Sequence, residues 1–243
     1  MSKERERNIL ELLLKHKSVS VKTLSRELYA SESSIRRDLS RLEGQGLLRR
    51  THGGAVLAEQ SHALTKIPFT VRELENYDAK MIIARKAAEL VKDGDTVMLD
   101  ASSSAYALIP FLAKKTNITV ITSGIKAAML LAEYGINTYV TGGHVIGSCL
   151  SLVENDAVHM LSCYNADIAF FSCRGLSKDG MLSDFSIEEN IVRQAMIKGS
   201  RKAVLLCAGE KFGKTYMHNL CHLRDIDGVI SEAEFSEELL SRS

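Results

Sequence analysis

Hydroxyl and guanidinium groups crowd one short stretch of this 243-residue chain. Ser31, Ser33, Ser34, Arg36, Arg37 and Ser40 fall within a segment of helical period, and Arg49, Arg50, Thr51 and His52 follow closely. On a wheel of about 100° per residue with Ile35, Leu39 and Leu42 turned inward, Ser33, Arg37, Ser40 and Gly44 share the opposite side and Arg36 flanks them. That side carries no carboxylate, since Asp38 and Glu43 fall nearer the core-side boundary. Arginine can pair with guanine edges or phosphates and serine adds short hydrogen bonds, so such a face can enter a major groove. A solvated surface helix is the competing account of any one of these residues.

A second set of polar groups lies at the ends of apolar strand patterns. Asp100-Ala101-Ser102-Ser103-Ser104 opens a helix, where unpaired N–H groups, a positive dipole end and three hydroxyls suit a phosphate or another oxyanion. An ordinary serine N-cap fits that loop equally well. Similar loops recur at Thr122-Ser123-Gly124, Thr141-Gly142-Gly143-His144, Cys173-Arg174-Gly175 and Gly209-Glu210-Lys211. Their convergence on one rim predicts a ligand site with Arg174 and Lys211 as its cations, and surface turns compete as the reading of each.

The thiols and imidazoles promise less. His218, Cys221 and His222 are close together, but a structural zinc usually takes four ligands and no second cluster is near. No metal and no cofactor is expected. The five cysteines form an odd set without a CxxC pair and read as small buried hydrophobes in a reducing compartment. A redox or metal sensor built on Cys207, Cys221 or His222 is a minor alternative.

Three helical patterns must position the first set: Ile9, Leu12 and Leu13; Val21, Leu24 and Leu28; Ile35, Leu39 and Leu42. Ser20 and Ser31 stand where N-caps belong, Glu32 complements the positive end of the third helix, and Gly44 and Gly46 stop it. Tyr29-Ala30-Ser31 has the length of a helix-turn-helix corner. The segment 47–56 reads as a basic hairpin with a Gly53-Gly54 turn, a wing that lays cations along a backbone or minor groove. A winged helix-turn-helix is therefore expected over residues 1–58, and an ordered crossover containing Pro68 over 59–77.

Residues 78–243 form the second expected domain. Strand patterns at 96–99, 118–122, 137–141, 167–172, 203–207 and 228–231 alternate with helical patterns at 103–114, 124–134, 155–162 and 187–199. This predicts an α/β domain with a mostly parallel, doubly wound sheet, whose ligands bind beyond the carboxyl ends of the strands.

Composition agrees with a soluble globular chain, at 45% hydrophobic and 25% charged residues. No apolar run reaches the roughly 18 residues of a membrane span, and the charged start MSKERERNIL is unlike a secretory signal, so no membrane partner and a cytoplasmic location are expected. The formal net charge of +1 hides an asymmetry: residues 1–58 carry 12 Lys/Arg against 7 Asp/Glu, and the remainder carries 19 against 23. A basic minor segment joined to a mildly acidic major one suggests that the first part meets a polyanion.

Ser31-Glu32-Ser33-Ser34-Ile35-Arg36-Arg37-Asp38-Leu39, then Leu42-Glu43, Gly46-Leu47 and Arg50-Thr51-His52-Gly53-Gly54-Ala55, resemble the signature of the DeoR family of bacterial regulators, with Ser34 where the family more often has threonine. The larger domain resembles the sensor domain of that family, which is similar in fold to ribose-5-phosphate isomerase and the CoA transferases. The resemblance implies a repressor that binds double-stranded operator DNA as a homo-oligomer, a dimer or tetramer. It further implies control of a sugar or carbohydrate catabolic or transport operon by a phosphorylated sugar. It assigns effector contacts to Asp100, Ser102, Ser103, Ser104, Thr122, Ser123, Gly142, Gly143, Arg174, Gly175, Glu189 and Lys211.

Three departures bear on the effector. Ser102 stands where the family often has glycine, Ser123 where it has asparagine, and Ala208-Gly209-Glu210 where it has an aspartate and serines. They leave open an altered ligand or a degenerate pocket. The rival reading is a phosphosugar isomerase or transferase, with Asp100, Asp184, Glu188 or Glu189 poised to move a proton. Fold likeness is a poor warrant for activity, and no strand-end loop holds a complete catalytic set, so no enzyme is expected.

Overall fold

The computed structural model describes residues 2–57 and 68–234. Internal contacts divide the chain into two compact units, Met1–Glu75 and Asn76–Ser243, and each is built on its own core.

The first unit runs α1 (Ser2–His16), β1 (Ser18–Ser20), α2 (Val21–Glu27), α3 (Glu32–Gly44), β2 (Leu48–Thr51), β3 (Gly54–Leu57) and α4 (Phe69–Leu74). Ile9, Leu10, Leu13, Leu24, Ile35, Leu39 and Leu42 are fully buried together, which fixes the inward faces of the three helices. Ser20 and Ser31 cap α2 and α3, their hydroxyls accepting from the N–H groups of Thr23 and Ser34. Each cap satisfies one of the unpaired donors at a helix start.

Three features depart from the sequence reading. β1 pairs antiparallel with β3, giving a three-stranded sheet in the order β1-β3-β2; three residues are too few to display a strand period. The wing turns at His52 and Gly53, while Gly54 already pairs as the first residue of β3. Inside the expected crossover, α4 forms and Val71 and Leu74 enter the first unit's core; residues 59–67 lie outside the described residues.

Gly54 is required by close approach: a Cβ there would lie 2.2 Å from the Val19 carbonyl oxygen, whereas one on Gly53 meets nothing within 4 Å. Gly54→Ala is therefore expected to destabilise the first unit by about 1–3 kcal/mol, the usual cost of overpacking, and Gly53→Ala to leave it nearly unchanged. Thermal melts of the two variants check this, and equal melting temperatures would contradict it.

The second unit opens with α5 (Tyr77–Ala88), β4 (Thr96–Leu99), α6 (Ser103–Leu112), β5 (Thr119–Thr122), α7 (Ile125–Glu133) and β6 (Asn137–Val140). It continues with β7 (His144–Ile146), β8 (Ser151–Val153), α8 (Asn155–Ser162), β9 (Ile168–Phe171), β10 (Gly175–Leu176) and β11 (Met181–Asp184). It closes with α9 (Ile187–Lys198), β12 (Ala203–Leu206), β13 (His218–His222) and β14 (Gly228–Ile230). Six strands form one parallel sheet in the order β14-β12-β9-β4-β5-β6, and these are the six expected strands to within a residue at each end.

Both faces of the sheet are covered. Along β4, Val97 and Leu99 point into a cluster that includes Ile83, Leu108 and Leu112, while Met98 points into another with Val192 and Met196. Coverage on both sides is why these strands read as apolar runs instead of alternating ones. The chain winds outward from β4 through β5 to β6 on one side, and from β9 through β12 to β14 on the other. The crevice between the carboxyl ends of β4 and β9 is thus the topological switch point, where open parallel sheets place their ligands. The β7–β8 hairpin and the antiparallel sheet β10-β11-β13 were not expected from the sequence.

Candidate functional site

In the first unit, Ser31, Ser33, Arg36, Arg37 and Ser40 are exposed and Ser34 is half-buried. Asp38, adjacent to the two arginines, is 2% exposed and accepts from Arg5 Nε at 2.5 Å. It shares the inward side with Ile35, Leu39 and Leu42, which leaves Arg36 and Arg37 outward. Arg36 pairs with Glu32 at 3.3 Å one turn earlier, whereas Arg37 donates to the Ser34 hydroxyl at 3.3 Å and has no carboxylate partner among the described residues. Ser31 holds the helix start, with its hydroxyl 3.0 and 2.9 Å from those of Ser33 and Ser34.

The wing is tied to this helix. Arg50 Nη1 donates to Ser40 Oγ at 2.7 Å, and the Arg50 N–H donates to Glu43 Oε1 at 2.8 Å. Glu43, placed near the core boundary by the helical wheel, is in fact exposed and serves as this anchor. Arg49, Thr51 and His52 are exposed on the wing. The wing and α3 thus expose Ser33, Arg36, Arg37, Ser40, Arg49 and Arg50 together, with Glu43 among them as the anchor.

In the second unit, the switch point is occupied by a buried ion cluster. Asp100, at the end of β4, accepts from Ser102 N at 3.1 Å, from Ser172 N at 3.2 Å and from Arg193 Nε at 2.9 Å. Arg193 Nη1 donates to Asp184 at 2.8 Å and to Asn190 at 3.1 Å, and its Nη2 lies 3.9 Å from Glu189 Oε1. Burial works against the charged form of Arg193, but Asp184, Asp100 and Glu189 outweigh it and hold the guanidinium above its ordinary pKa. Burial likewise pushes Asp184 up, yet Arg193, the Phe185 N–H and Arg174 bring its carboxyl below the usual range.

Beside this cluster is a slot of about 10 Å³, lined by Asp100, Ser123, Ser151, Glu189 and Arg193 together with apolar neighbours. Of the expected effector residues, Asp100, Ser123 and Glu189 line it. Lys211 reaches Asp100's neighbour, its Nζ donating to Ser172 Oγ at 2.8 Å. Ser102 caps α6 through Ala105 N with φ −77, so the absent glycine costs nothing in backbone geometry. Ser103 and Ser104 are buried, and Thr122 Oγ1 accepts from Gly124 N at 3.0 Å. Gly142 and Gly143 are exposed before β7, and Arg174 is half-buried. Gly175 has a packing reason to be glycine, since its Cβ would meet the Lys214 carbonyl at 2.4 Å. None of these last residues lines the slot.

The sequence reading missed Arg193, Ser172 and Ser151. Arg193 had a findable signal: it lies one helical turn after Glu189, so a carboxylate and a guanidinium share the inward face of α9. Ser151 had none. The thiols and imidazoles are engaged elsewhere: His222 Nε2 lies 2.7 Å from the Asp179 carbonyl, and burial pushes the Cys221 thiol up to about 12. Cys149, Cys173 and Cys207 are buried as expected, but Cys163 is exposed. Among the described residues, no helix is long and apolar enough to cross a membrane.

Comparison with known proteins agrees with this geometry. Residues 5–61 match the DeoR-like helix-turn-helix domain, and residues 75–233 match the DeoR C terminal sensor domain. The chain belongs to the DeoR family of transcription regulators. It is 34% identical to the HTH-type transcriptional regulator GolR of Listeria innocua, over 98% of this chain and 94% of that protein. It is 28% identical to the glycerol-3-phosphate regulon repressor of Escherichia coli, over 95% of this chain and 90% of that protein. Among solved structures, eIF2B delta from Chaetomium thermophilum is 22% identical with a TM-score of 0.51, covering 68% of this chain and 62% of that one; that likeness concerns the fold alone. The protein is thus a DNA-binding regulator with a sensor domain, not an isomerase. Two of the carboxylates considered for proton transfer, Asp100 and Asp184, are bound to Arg193.

Replacing Arg193 with Met would leave three carboxylates facing a buried space, an expected loss of about 3–5 kcal/mol of stability in urea melts at pH 7. Asp184 contributes to the acid limb. Its folded pKa lies below its unfolded value of about 3.9, so its contribution is fully present above that pH and is lost as the pH falls through the folded value. Asp184→Asn should flatten the stability profile below about pH 4, and an unchanged profile would contradict the assignment.

Proposed function

We propose that this protein represses a sugar catabolic or transport operon in the cytoplasm by binding its operator as a homo-oligomer, and that a phosphorylated sugar controls it. The outward face of α3 supports the DNA reading most strongly, because Arg37 stands exposed and free of carboxylates between Ser33 and Ser40. In this reading Ser33, Arg36, Arg37 and Ser40 enter the major groove, with Ser31 and Ser34 at the helix start. Arg49, Arg50, Thr51 and His52 follow the backbone. Two symmetric copies would read a repeated site that one short helix cannot specify.

The effector reading draws on the polar rim at the switch point and on a relative named for a phosphorylated polyol. Asp100, Ser102, Ser103, Ser104, Thr122, Ser123, Gly142, Gly143, Arg174, Gly175, Glu189 and Lys211 are the proposed surroundings, with Lys211 and Arg174 nearest in chemistry to a phosphate. Such a ligand changes DNA binding only if it favours one arrangement of the protein over another.

Binding to the DNA upstream of its own gene, followed by fluorescence anisotropy, should weaken linearly in log–log form as salt rises. Arg37→Ala should cost about 1–3 kcal/mol of that affinity. Binding that ignores salt, or that survives Arg37→Ala intact, would overturn the DNA reading. A thermal-shift screen should find a phosphosugar that, at about 100 times its Kd, adds about 2.7 kcal/mol of stability; a screen without any shift would overturn the effector reading.

A further inference from the structure

The strand β8 is bracketed by two residues whose backbones lie where side chains are disfavoured. Leu150 has φ 53, and Glu154 has φ 76 with ψ −170, a region essentially reserved for glycine. At the other foot of the hairpin, Gly143 has φ 110, and a Cβ there would lie 2.1 Å from the Val153 carbonyl oxygen. Between these points β7 and β8 pair with each other through His144↔Val153, Val145↔Leu152 and Ile146↔Ser151, and Ser151 also forms an isolated antiparallel bridge to Gly124. The hairpin is held to the body by Leu152 N to the Ser123 carbonyl at 2.8 Å, by Ile125 N to the Leu150 carbonyl at 2.9 Å and by Val153, buried in a cluster with Met98, Ile121 and Leu161, while an exposed His144–Glu154 pair at 3.1 Å joins its two feet.

Beneath it lies the slot. Ser151, Leu152 and Val153 form one wall, and Asp100, Glu189 and Arg193 form another. Ser151 Oγ and Glu189 Oε1 are both buried without a hydrogen-bond partner, as are Thr141 Oγ1, just before the hairpin, and Ser104 Oγ on α6. Buried polar atoms are nearly always paired, by protein, water or ligand, so the two of these atoms on residues lining the slot, Ser151 Oγ and Glu189 Oε1, point to something that enters it. A volume of about 10 Å³ holds roughly one water and no sugar.

We propose that the β7–β8 hairpin is a strained lid over the inner end of the effector site, hinged at Gly143, Leu150 and Glu154. It lifts to admit a polyhydroxylated ligand whose O–H groups donate to Glu189. Lifting lets Leu150 and Glu154 relax to ordinary backbone, which offsets part of the hydrogen bonding and of the Val153 burial that opening gives up. The ligand chemistry rests on the effector reading given above; the motion of the lid does not.

Hydrogen exchange on the full chain tests the lid. The amides of Ile146, Ser151, Leu152 and Val153 should exchange at least tenfold faster than those of β4 and β5. Glu154→Gly and Leu150→Gly, which remove the strain of the closed form, should each slow hairpin exchange about tenfold, equivalent to about 1.4 kcal/mol. Glu154→Ala, which loses the carboxylate but keeps the Cβ, should not slow it. Hairpin exchange at the rate of β4 and β5, or rates unchanged by both glycine variants, would overturn the proposal.

Ribose 5-phosphate, sorbitol 6-phosphate and inorganic phosphate form a second arm. A sugar phosphate should bind the glycine variants about tenfold more weakly than the wild type. Equal affinity would sink the lid and leave the effector reading standing. Binding of none of them, with the glycine effect intact, would sink the effector reading and leave the lid standing.

Discussion

Arg193 lies 4% exposed inside the second unit, its guanidinium bonded to Asp100 and Asp184 and within 3.9 Å of Glu189. A buried cation in a medium of low dielectric must be paired in several directions or it unfolds its surroundings. Here the pairing joins the end of β4, the end of β11 and two turns of α9. Through Asp100 it also takes in the Ser172 N–H at the end of β9. The two strands flanking the switch point are therefore fixed by one network, and the rim loops inherit their positions from it. Because carboxylates outnumber the central cation, the inner end of the crevice accepts hydrogen bonds, and Lys211 adds positive charge beside Ser172.

The first unit uses a related device on a smaller scale. Asp38 is buried and held by Arg5 on the same inward side as Ile35, Leu39 and Leu42, whose burial sets which way the helix turns. Arg36 and Arg37, adjacent in sequence, are thereby carried to the surface. The Arg50–Ser40 and Arg50–Glu43 bonds add the wing to the same rigid surface. The two units consequently present different chemistry: a mainly cationic and hydroxylic face on α3 and the wing, and a crevice in which carboxylates outnumber the central cation. A regulator requires both, one to hold the operator and one to sense a metabolite through differential affinity.

Much of this was legible in the residues. The helix-turn-helix could be read because its caps, Ser20 and Ser31, and its stop at Gly44 to Gly46 act locally. The parallel strands could be read because coverage on both faces demands continuous apolar runs, as in Ala203–Leu206. What escaped is short or depends on distant partners. The strands β1, β7, β8, β10, β11 and β13 are two to five residues long, too short to display a period, and β1 with β3 and β11 with β13 are joined across long stretches of chain. The ion cluster escaped for the same reason, since Asp100 and Arg193 are 93 residues apart. Glu43 misled because a helical wheel cannot show that an exposed carboxylate accepts a backbone N–H from the following strand.

The central claim is that the Ser33–Arg37 side of α3 lies against duplex DNA. Its most direct test is a photocrosslinking amino acid, p-benzoylphenylalanine, placed at Ser33 and, as a reference, at the exposed Met129 of the sensor unit. Irradiation with upstream duplex DNA should yield crosslinks from position 33, suppressed by salt, and none from position 129. Absence of crosslinking at position 33 under conditions where the duplex is bound, or equal yields from both positions, would contradict the account.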